Sequence, residues 1–289
     1  MLWFILSFLT ALAVASHDAW VKKFFSGLST YEMLAYPLIY SLPLLVLTLP
    51  FVPVPPLDSI FFGAFLISLP INGIGFFLHL RAIQVSPLSL TLPYLSFTPV
   101  FMILTGTLVL DEMPNAPGIF GICIICAGGY ILNLAPGRQP VLAPLKAVFR
   151  EKGSWLMLIV AFVYSLGAVF GKQGIVHSSP LFFAITFFTA LNILLLVLFR
   201  VGGKIKWHTF AARRQNGIVA GFLFFAHILL HAFAISLAKA AYMISVKRLS
   251  VIIGLIYGGV IFKEKNLAVR TVGTLLMVAG AVVITLWGK

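Results

Sequence analysis

The sequence predicts an all-α membrane protein, and three of its features support that prediction. Hydrophobic residues make up 61% of the 289 residues and charged residues only 9%, whereas a soluble domain is about 25% charged. The apolar residues are gathered in long stretches, of the length of a helix that crosses a bilayer. The net charge of +13 comes from basic residues that lie mostly in the short gaps between those stretches. These features exclude a soluble enzyme, a nucleic-acid-binding protein and a disordered chain.

Ten apolar stretches match the length of a membrane-spanning helix. They are separated by prolines, glycine pairs or charged residues, which commonly end helices. The first stretch is followed by Trp20, Lys22 and Lys23 rather than by a small-residue cleavage site, so we expect a retained span and not a signal peptide. The predicted spans, numbered in chain order, cover residues 2–21, 31–50, 60–80, 87–108, 116–134, 153–172, 180–200, 216–236, 243–262 and 268–287.

The two halves of the chain are related by a sequence repeat. A shift of 152 positions (264 − 112) places Glu112 on Glu264 and His79 on His231, and it also superimposes glycines 106, 121 and 128 on glycines 258, 273 and 280. Because each repeat has five spans, an odd number, the second repeat is expected to enter the membrane in the opposite orientation, as in many transporters. We therefore predict ten transmembrane helices in two inverted five-helix repeats. The predicted units are a first repeat at 1–135, a basic connecting loop at 136–152 and a second repeat at 153–289.

The distribution of basic residues predicts the orientation of the chain. Apart from Lys247 and Arg248, fifteen basic residues lie in gaps on one side of the predicted bundle, and only Lys172, Lys239 and Lys289 lie on the other. The positive-inside rule makes the basic side cytoplasmic, which leaves both termini outside. We expect an integral protein of a plasma membrane of the bacterial inner-membrane type.

The fourth span and its flanks carry a motif whose parts return in the second repeat. Its residues are Ala82, Ser86, Pro87, Tyr94, Thr98, Pro99 and Glu112, and the returning parts lie around Ala234, Gly258, Glu264 and Gly280. On this motif nearly the whole chain resembles the ten-helix EamA-type branch of the drug/metabolite transporter superfamily. The resemblance implies a central cavity lined by spans 3, 4, 8 and 9, with spans 1, 2, 6 and 7 moving to gate it. Members of that family, as usually described, keep both termini in the cytoplasm, the reverse of the orientation that the charges predict here.

Lys247 and Arg248 are predicted to form a paired anion site in the ninth span. A cation at the centre of a membrane helix costs roughly 2.5–3.5 kcal/mol, and neither span 8 nor span 9 contains an acidic residue to balance it. Segment 245–253 also resembles the ninth span of plastid phosphate translocators, which implies that an adjacent Lys-Arg pair grips a substrate phosphate. The alternative is that both side chains extend back to the nearby membrane interface.

Three histidines are the next candidates for contact with a substrate. His227 and His231 are four residues apart and share one face of span 8, while His79 is the repeat counterpart of His231 in span 3. They could bind substrate oxygens or relay protons, and the alternative is that they only form hydrogen bonds between helices. No metal site is predicted, because the histidines lack a carboxylate or thiol partner. Further substrate-binding candidates are Lys239, Tyr94 and Asn72.

His17 and Asp18 are candidates for binding a coupling ion, because an Asp inside a membrane helix is costly unless it has a partner or binds an ion. The alternative is an ion pair between Asp18 and Lys22, one turn further on. Pro93 and Pro99 are predicted hinge residues, because an interior proline interrupts a helix and broken spans are where transporters build binding sites. A kink that only serves packing is the alternative for the prolines.

The predicted function is secondary active transport of a small anionic metabolite, an organic phosphate or a carboxylate, by alternating access. The sequence contains no P-loop pattern and no catalytic constellation, so neither a cofactor nor enzyme activity is predicted. We expect a monomer or a weak dimer in the lipid bilayer, and both proton coupling and obligate exchange fit the sequence. One alternative is export of neutral amino acids or drug-like metabolites, and another is translocation of a lipid or lysolipid.

Overall fold

The computed structural model describes residues 1–132, 151–263 and 271–288. All regular secondary structure in these ranges is helical, which confirms the all-α prediction. The helices are α1 (Leu2–Phe25), α2 (Thr30–Thr48), α3 (Ser59–Val85), α4 (Leu88–Thr91), α5 (Thr98–Leu110), α6 (Ala116–Leu132), α7 (Lys152–Val176), α8 (Pro180–Val201), α9 (Trp207–Ala211), α10 (Arg214–Ser236), α11 (Ala240–Lys247), α12 (Ser250–Phe262) and α13 (Thr271–Trp287), with 3₁₀ segments at Leu49–Phe51 and Leu92–Phe97.

Eight helical stretches of the described chain are long and apolar enough to cross a membrane. The helices α6 and α13 are apolar too, but each has only 17 residues. Each of the ten predicted spans coincides with one of these stretches or shorter helices. The predicted connecting loop, 136–152, lies outside the described residues except at its last two positions, and Glu264 and Lys289 lie outside them as well.

Polar side chains determine where several helices begin. The Ser29 hydroxyl accepts the backbone N–H of Glu32 at 3.2 Å, and the Glu32 carboxylate accepts the backbone N–H of Ser29 in return. Asp58 and Ser179 cap α3 and α8 in the same way, each accepting a backbone N–H three residues further on. Because the first N–H groups of a helix have no partner within it, such a cap contributes typically about 1 kcal/mol.

Two helix ends show that the sequence repeat is also a repeat of local structure. Helix α5 ends at Asp111 and α12 ends at Lys263, with φ of 54° and 53°, and these are the two described residues other than glycine with positive φ. The backbone N–H of each is bonded to a glycine carbonyl, that of Gly106 or that of Gly258. Both the residues with positive φ and the glycines are separated by the repeat shift of 152 (263 − 111 and 258 − 106).

Helices α6 and α13 pack against each other through glycines. A Cβ atom at Gly121 would lie 2.9 Å from the carbonyl oxygen of Gly280, and one at Gly128 would lie 2.7 Å from that of Gly273. An early residue of α6 therefore meets a late residue of α13, and the two helices are antiparallel. This close approach of the two backbones requires glycine.

The helix ends form two groups, one at each end of the bundle. At one end, which we call the Ser86 end, Lys22 Nζ donates to the carbonyl oxygen of Ser86 at 2.6 Å. At the other, the Glu112 end, Lys172 contacts the Glu112 carboxylate and donates to the carbonyl oxygen of Ala238 at 2.6 Å. Each lysine donates to the carbonyl oxygen of a residue just after a neighbouring helix, and so it connects two helices at that end of the bundle.

Two of the membrane-length stretches are interrupted near their middle. In the fourth span, the 3₁₀ segment Leu92–Phe97 separates α4 from α5, with Pro93 and Pro99 near the start of the 3₁₀ segment and of α5. In the ninth span, Arg248 and Leu249 separate α11 from α12 without a proline. The second interruption places the Lys247-Arg248 pair where one half-helix ends and the next begins.

Candidate functional site

A cavity of about 110 Å³ lies in the interior of the helical bundle. Its volume is sufficient for several water molecules. Its wall includes residues of spans 3, 4, 8 and 9, as the family resemblance implies, but α1, α2, α7 and α8 contribute as well. Eight of the predicted site residues line it: His17, Asp18, Asn72, His79, His227, His231, Lys247 and Arg248.

Lys247 lies between two histidines of α10. Its Nζ atom is 3.0 Å from Nε2 of His227 and 3.3 Å from Nδ1 of His231. Because an ammonium group only donates hydrogen bonds, both imidazole nitrogens act as acceptors and both rings are neutral in this arrangement. The ammonium is thus held in place by neutral groups, and within the described ranges no carboxylate contacts it. We call these three residues the Lys247 cluster.

Arg248 is held beside the Lys247 cluster by the first turn of α5. Its Nη2 atom donates to the hydroxyl oxygen of Thr98 at 2.8 Å, and the residue is only 3% exposed. Within the described ranges, the contacts between a basic side chain and a carboxylate join His17 and His79 with Asp18, Lys172 with Glu112, and His177 with Asp58. Neither Lys247 nor Arg248 takes part in one of these pairs. Both side chains line the cavity, which argues against the alternative that they extend to the membrane interface.

Asp18 forms a second cluster with His17 and His79. Its two carboxylate oxygens face Nδ1 of His17 at 3.4 Å and Nε2 of His79 at 3.0 Å, and all three residues are buried. We call them the Asp18 cluster. Asp18 and Lys22 do not form the ion pair that was the alternative. Lys22 instead donates to backbone carbonyl oxygens at the end of α3.

Aromatic side chains form part of the cavity wall, and one of them, Phe224, contacts a histidine of each cluster. The ring centroid of Phe224 lies 5.6 Å from that of His17 and 6.3 Å from that of His227. Sequence reasoning missed these rings although the helical spacing indicated them. Residues 224, 227 and 231 share one face of α10, as residues 72, 76 and 79 share one face of α3. The other aromatic residues of the wall are Phe76, Tyr164 and Phe188.

The structure places two of the predicted substrate-binding residues, Lys239 and Tyr94, outside the cavity wall. Lys239 precedes α11 at the Glu112 end, and its Nζ atom donates to the carbonyl oxygen of Met113 at 2.8 Å. Tyr94 is buried in the 3₁₀ segment, and its neighbour Leu95 reaches the cavity instead. By contrast, Asn72 is part of the wall, with its Nδ2 atom donating to the carbonyl oxygen of Ser68 at 2.9 Å.

Membrane-length helices that enclose a polar, charged cavity are typical of membrane transport proteins. Within that class, the profile of the EamA-like transporter family matches residues 1–134 and 151–286 of this chain. The chain therefore belongs to the EamA-like transporter family, part of the drug/metabolite transporter superfamily. It is an integral membrane protein and a transporter.

The fold is similar to that of solved structures. A chain described only as a crystal structure of a protein superimposes with a TM-score of 0.64 at 14% sequence identity, over 99% of this chain and 96% of that one. At this identity the likeness concerns the fold alone. No curated protein sequence matches the chain. The narrower resemblance of span 9 to plastid phosphate translocators is not shown by any of these matches.

Proposed function

We propose that this transporter moves a small anionic metabolite, an organic phosphate or a carboxylate, which binds to Lys247 and Arg248. The observation that carries the proposal is the absence, within the described ranges, of any carboxylate paired with either cation. Buried charges are costly unless they are paired. An anion in the cavity would supply that pairing, with Arg248 as a planar donor and Lys247 as a point charge.

The proposed mechanism is alternating access in a scaffold of ten membrane crossings and two inverted repeats. The pairing of helix ends supports it: successive stretches run between the Ser86 end and the Glu112 end in alternation, so α1 and its repeat counterpart α7 start at opposite ends. The antiparallel glycine contact of α6 with α13 fits the same symmetry. The interruptions at Pro93, Pro99 and Arg248 are the proposed points of bending.

A ligand-induced thermal shift tests the proposed substrate class. Purified protein is screened with phosphorylated and carboxylated metabolites, because a ligand that binds only the folded state raises its apparent stability. We expect a concentration-dependent rise in Tm for one or more of these anions. Lys247→Ala and Arg248→Ala should each abolish the shift.

Lys23→Ala is the matched control, because Lys23 is an exposed cation outside the cavity. It should keep the full shift. An anion-induced shift of unchanged size in both Lys247→Ala and Arg248→Ala would remove the two cations from the binding site.

A further inference from the structure

Three buried polar atoms of the cavity wall have no hydrogen-bond partner among the described residues: Nε2 of His17, Nδ1 of His79 and Nε of Arg248. His17 is 8% exposed, His79 6% and Arg248 3%. A buried polar atom without a partner has lost its hydrogen bonds to water without replacement, so such atoms are rare unless something else binds them. Because all three atoms line one cavity, they are available to form hydrogen bonds with a ligand in that cavity.

The hydrogen-bonding character of each of these atoms follows from its neighbours. A carboxylate is only an acceptor, so the ring nitrogens of His17 and His79 that face Asp18 carry the hydrogens. With one hydrogen on each ring, placed on the nitrogen that faces Asp18, the two histidines add no positive charge to a cavity that already holds Lys247 and Arg248. The outer nitrogen of each ring is then a bare acceptor. The guanidinium Nε of Arg248, by contrast, can only donate.

The cavity is therefore chemically asymmetric. Donors and positive charge lie at Lys247 and Arg248, while acceptors lie at the Asp18 cluster. The single ring of Phe224 contacts a histidine of each cluster, with centroid distances of 5.6 and 6.3 Å to His17 and His227. A ligand of a few carbon atoms is long enough to reach both ends.

We propose that the transported anion carries hydrogen-bond donors, hydroxyl or amino groups, at the end opposite its charge, and that His17 and His79 accept them. This inference rests on the proposed function and narrows its substrate class from any small anion to hydroxylated or aminated ones. Asp18 acts as a positioning residue, because it fixes which nitrogen of each imidazole is bare. An unsubstituted alkyl phosphate or alkyl carboxylate leaves both acceptors unpaired.

Matched ligand pairs test the proposal with the full-length protein in detergent. Glycerol 3-phosphate is compared with propyl phosphate, and glycerate with propionate, so that within each pair the anionic group and the length of the carbon chain are kept while the hydroxyl groups are removed. The dissociation constant is measured by calorimetric titration. We expect the hydroxylated member of at least one pair to bind about 10-fold or more tightly than its partner, because a site with buried polar groups rejects a ligand that leaves them unpaired.

His17→Phe and His79→Phe test whether these two imidazoles distinguish the hydroxylated anion from the unsubstituted one. Phenylalanine keeps an aromatic ring and removes the acceptor. Each should reduce the preference for the hydroxylated ligand, so that the ratio of the two dissociation constants within a pair falls toward one. His17→Phe alone decides the question if His79→Phe fails to fold, because the hydrogen bond from His17 to Asp18 is the longer of the two.

Equal affinity within both pairs would overturn the inference and leave the proposed anion transport intact, with the Asp18 cluster then free to bind a coupling proton. A preference that persists unchanged in His17→Phe and His79→Phe would also overturn it. If none of the four anions binds and the screen of phosphorylated and carboxylated metabolites gives no thermal shift, the proposed function fails, and the inference that rests on it fails too.

Discussion

The contacts of Lys247 show how a membrane protein can bury a cation without a direct contact to a carboxylate. Its partners are two neutral imidazoles, which hold the ammonium in position without cancelling its charge. A carboxylate in their place would form an ion pair and leave little attraction for a substrate. The sequence predicted that Lys247 and Arg248 lie within a span, and it placed both histidines on one face of span 8. It could not predict their contact, which depends on how α10 packs against α11.

Thr98 is a positioning residue for Arg248, because its hydroxyl oxygen accepts the Nη2 hydrogen bond at 2.8 Å. Thr98→Val keeps the shape of the side chain and removes the acceptor, so we expect anion binding to weaken about 10-fold, the effect of losing one hydrogen bond to a charged group. Thr98→Ser keeps the hydroxyl and should bind like the unchanged protein. Calorimetric titration with a transported anion measures both. Equal affinity of the two variants would show that Thr98 does not position Arg248.

Glu151 makes stability depend on pH at the Ser86 end. Burial opposes its ionisation, but hydrogen bonds from Ser86 and Ser154 outweigh this effect and lower the pKa of Glu151 below its ordinary value of 4.5. The folded pKa is the lower one, so this stabilisation is fully present above about pH 4.5 and is lost as the pH falls through the folded pKa. We expect the difference in Tm between the unchanged protein and Glu151→Gln to shrink as the pH falls from 6 to 3. A difference that stays constant over this range would contradict the assignment.

The helices themselves were the most predictable part of the molecule. Apolar stretches of membrane length indicated the eight helical stretches that are long enough to cross a membrane and the two shorter apolar helices, because a bilayer requires continuous apolar helices with satisfied backbone groups. The interruption of span 4 was predictable from Pro93 and Pro99. That of span 9 was not, because the backbone N–H groups of Arg248 and Leu249 are bonded in 3₁₀ fashion to carbonyls three residues earlier, without a proline. The sequence signal that could have predicted this interruption was the repeat, because the shift of 152 places the end of the interrupted segment Leu92–Phe97 of span 4 on Arg248 and Leu249.

The contact between α6 and α13 depends on glycine at its closest points. In Gly128→Ala the new Cβ atom would lie 2.7 Å from the carbonyl oxygen of Gly273 and from Cγ of Met277, so the helices must move apart. We expect a loss of about 1–3 kcal/mol, as for other overpacked interfaces. Gly63→Ala in α3 is the control, because its Cβ meets nothing within 4 Å. Thermal unfolding in detergent should show a lower Tm for Gly128→Ala alone, and equal Tm values would contradict the packing.

At the scale of the whole molecule, two halves related by a sequence repeat contribute unequally to the cavity wall. The repeat shift relates Asp111 to Lys263 and the glycines of α6 to those of α13, yet it relates Lys247 and Arg248 to the uncharged Leu95 and Ser96. The repeat therefore builds the enclosure, and the second half alone supplies the cations. The sequence indicated this asymmetry directly, but not the extent of the cavity wall, because the contribution of α1, α2, α7 and α8 arises from packing between the halves.

Cysteine labelling tests the proposed orientation of the chain. In a variant with Cys123 and Cys126 replaced by serine, a single cysteine is introduced either at Val54, which is 76% exposed between α2 and α3, or at Lys204, which is exposed between α8 and α9. With both termini outside, a membrane-impermeant thiol reagent added to intact cells should label Val54→Cys and not Lys204→Cys until the membrane is opened. The reverse pattern would place the termini in the cytoplasm.

The claim that two cavity cations bind the cargo is tested most directly by counterflow in proteoliposomes. Vesicles that contain the unchanged protein and are loaded with an anion that binds it should accumulate the labelled anion from outside. Vesicles that contain the Lys23→Ala variant should accumulate it at the same rate. The double variant Lys247→Ala/Arg248→Ala should lose at least about nine-tenths of that rate, since both charged contacts to the anion are gone. Counterflow at the full rate in a correctly folded double variant would contradict the account.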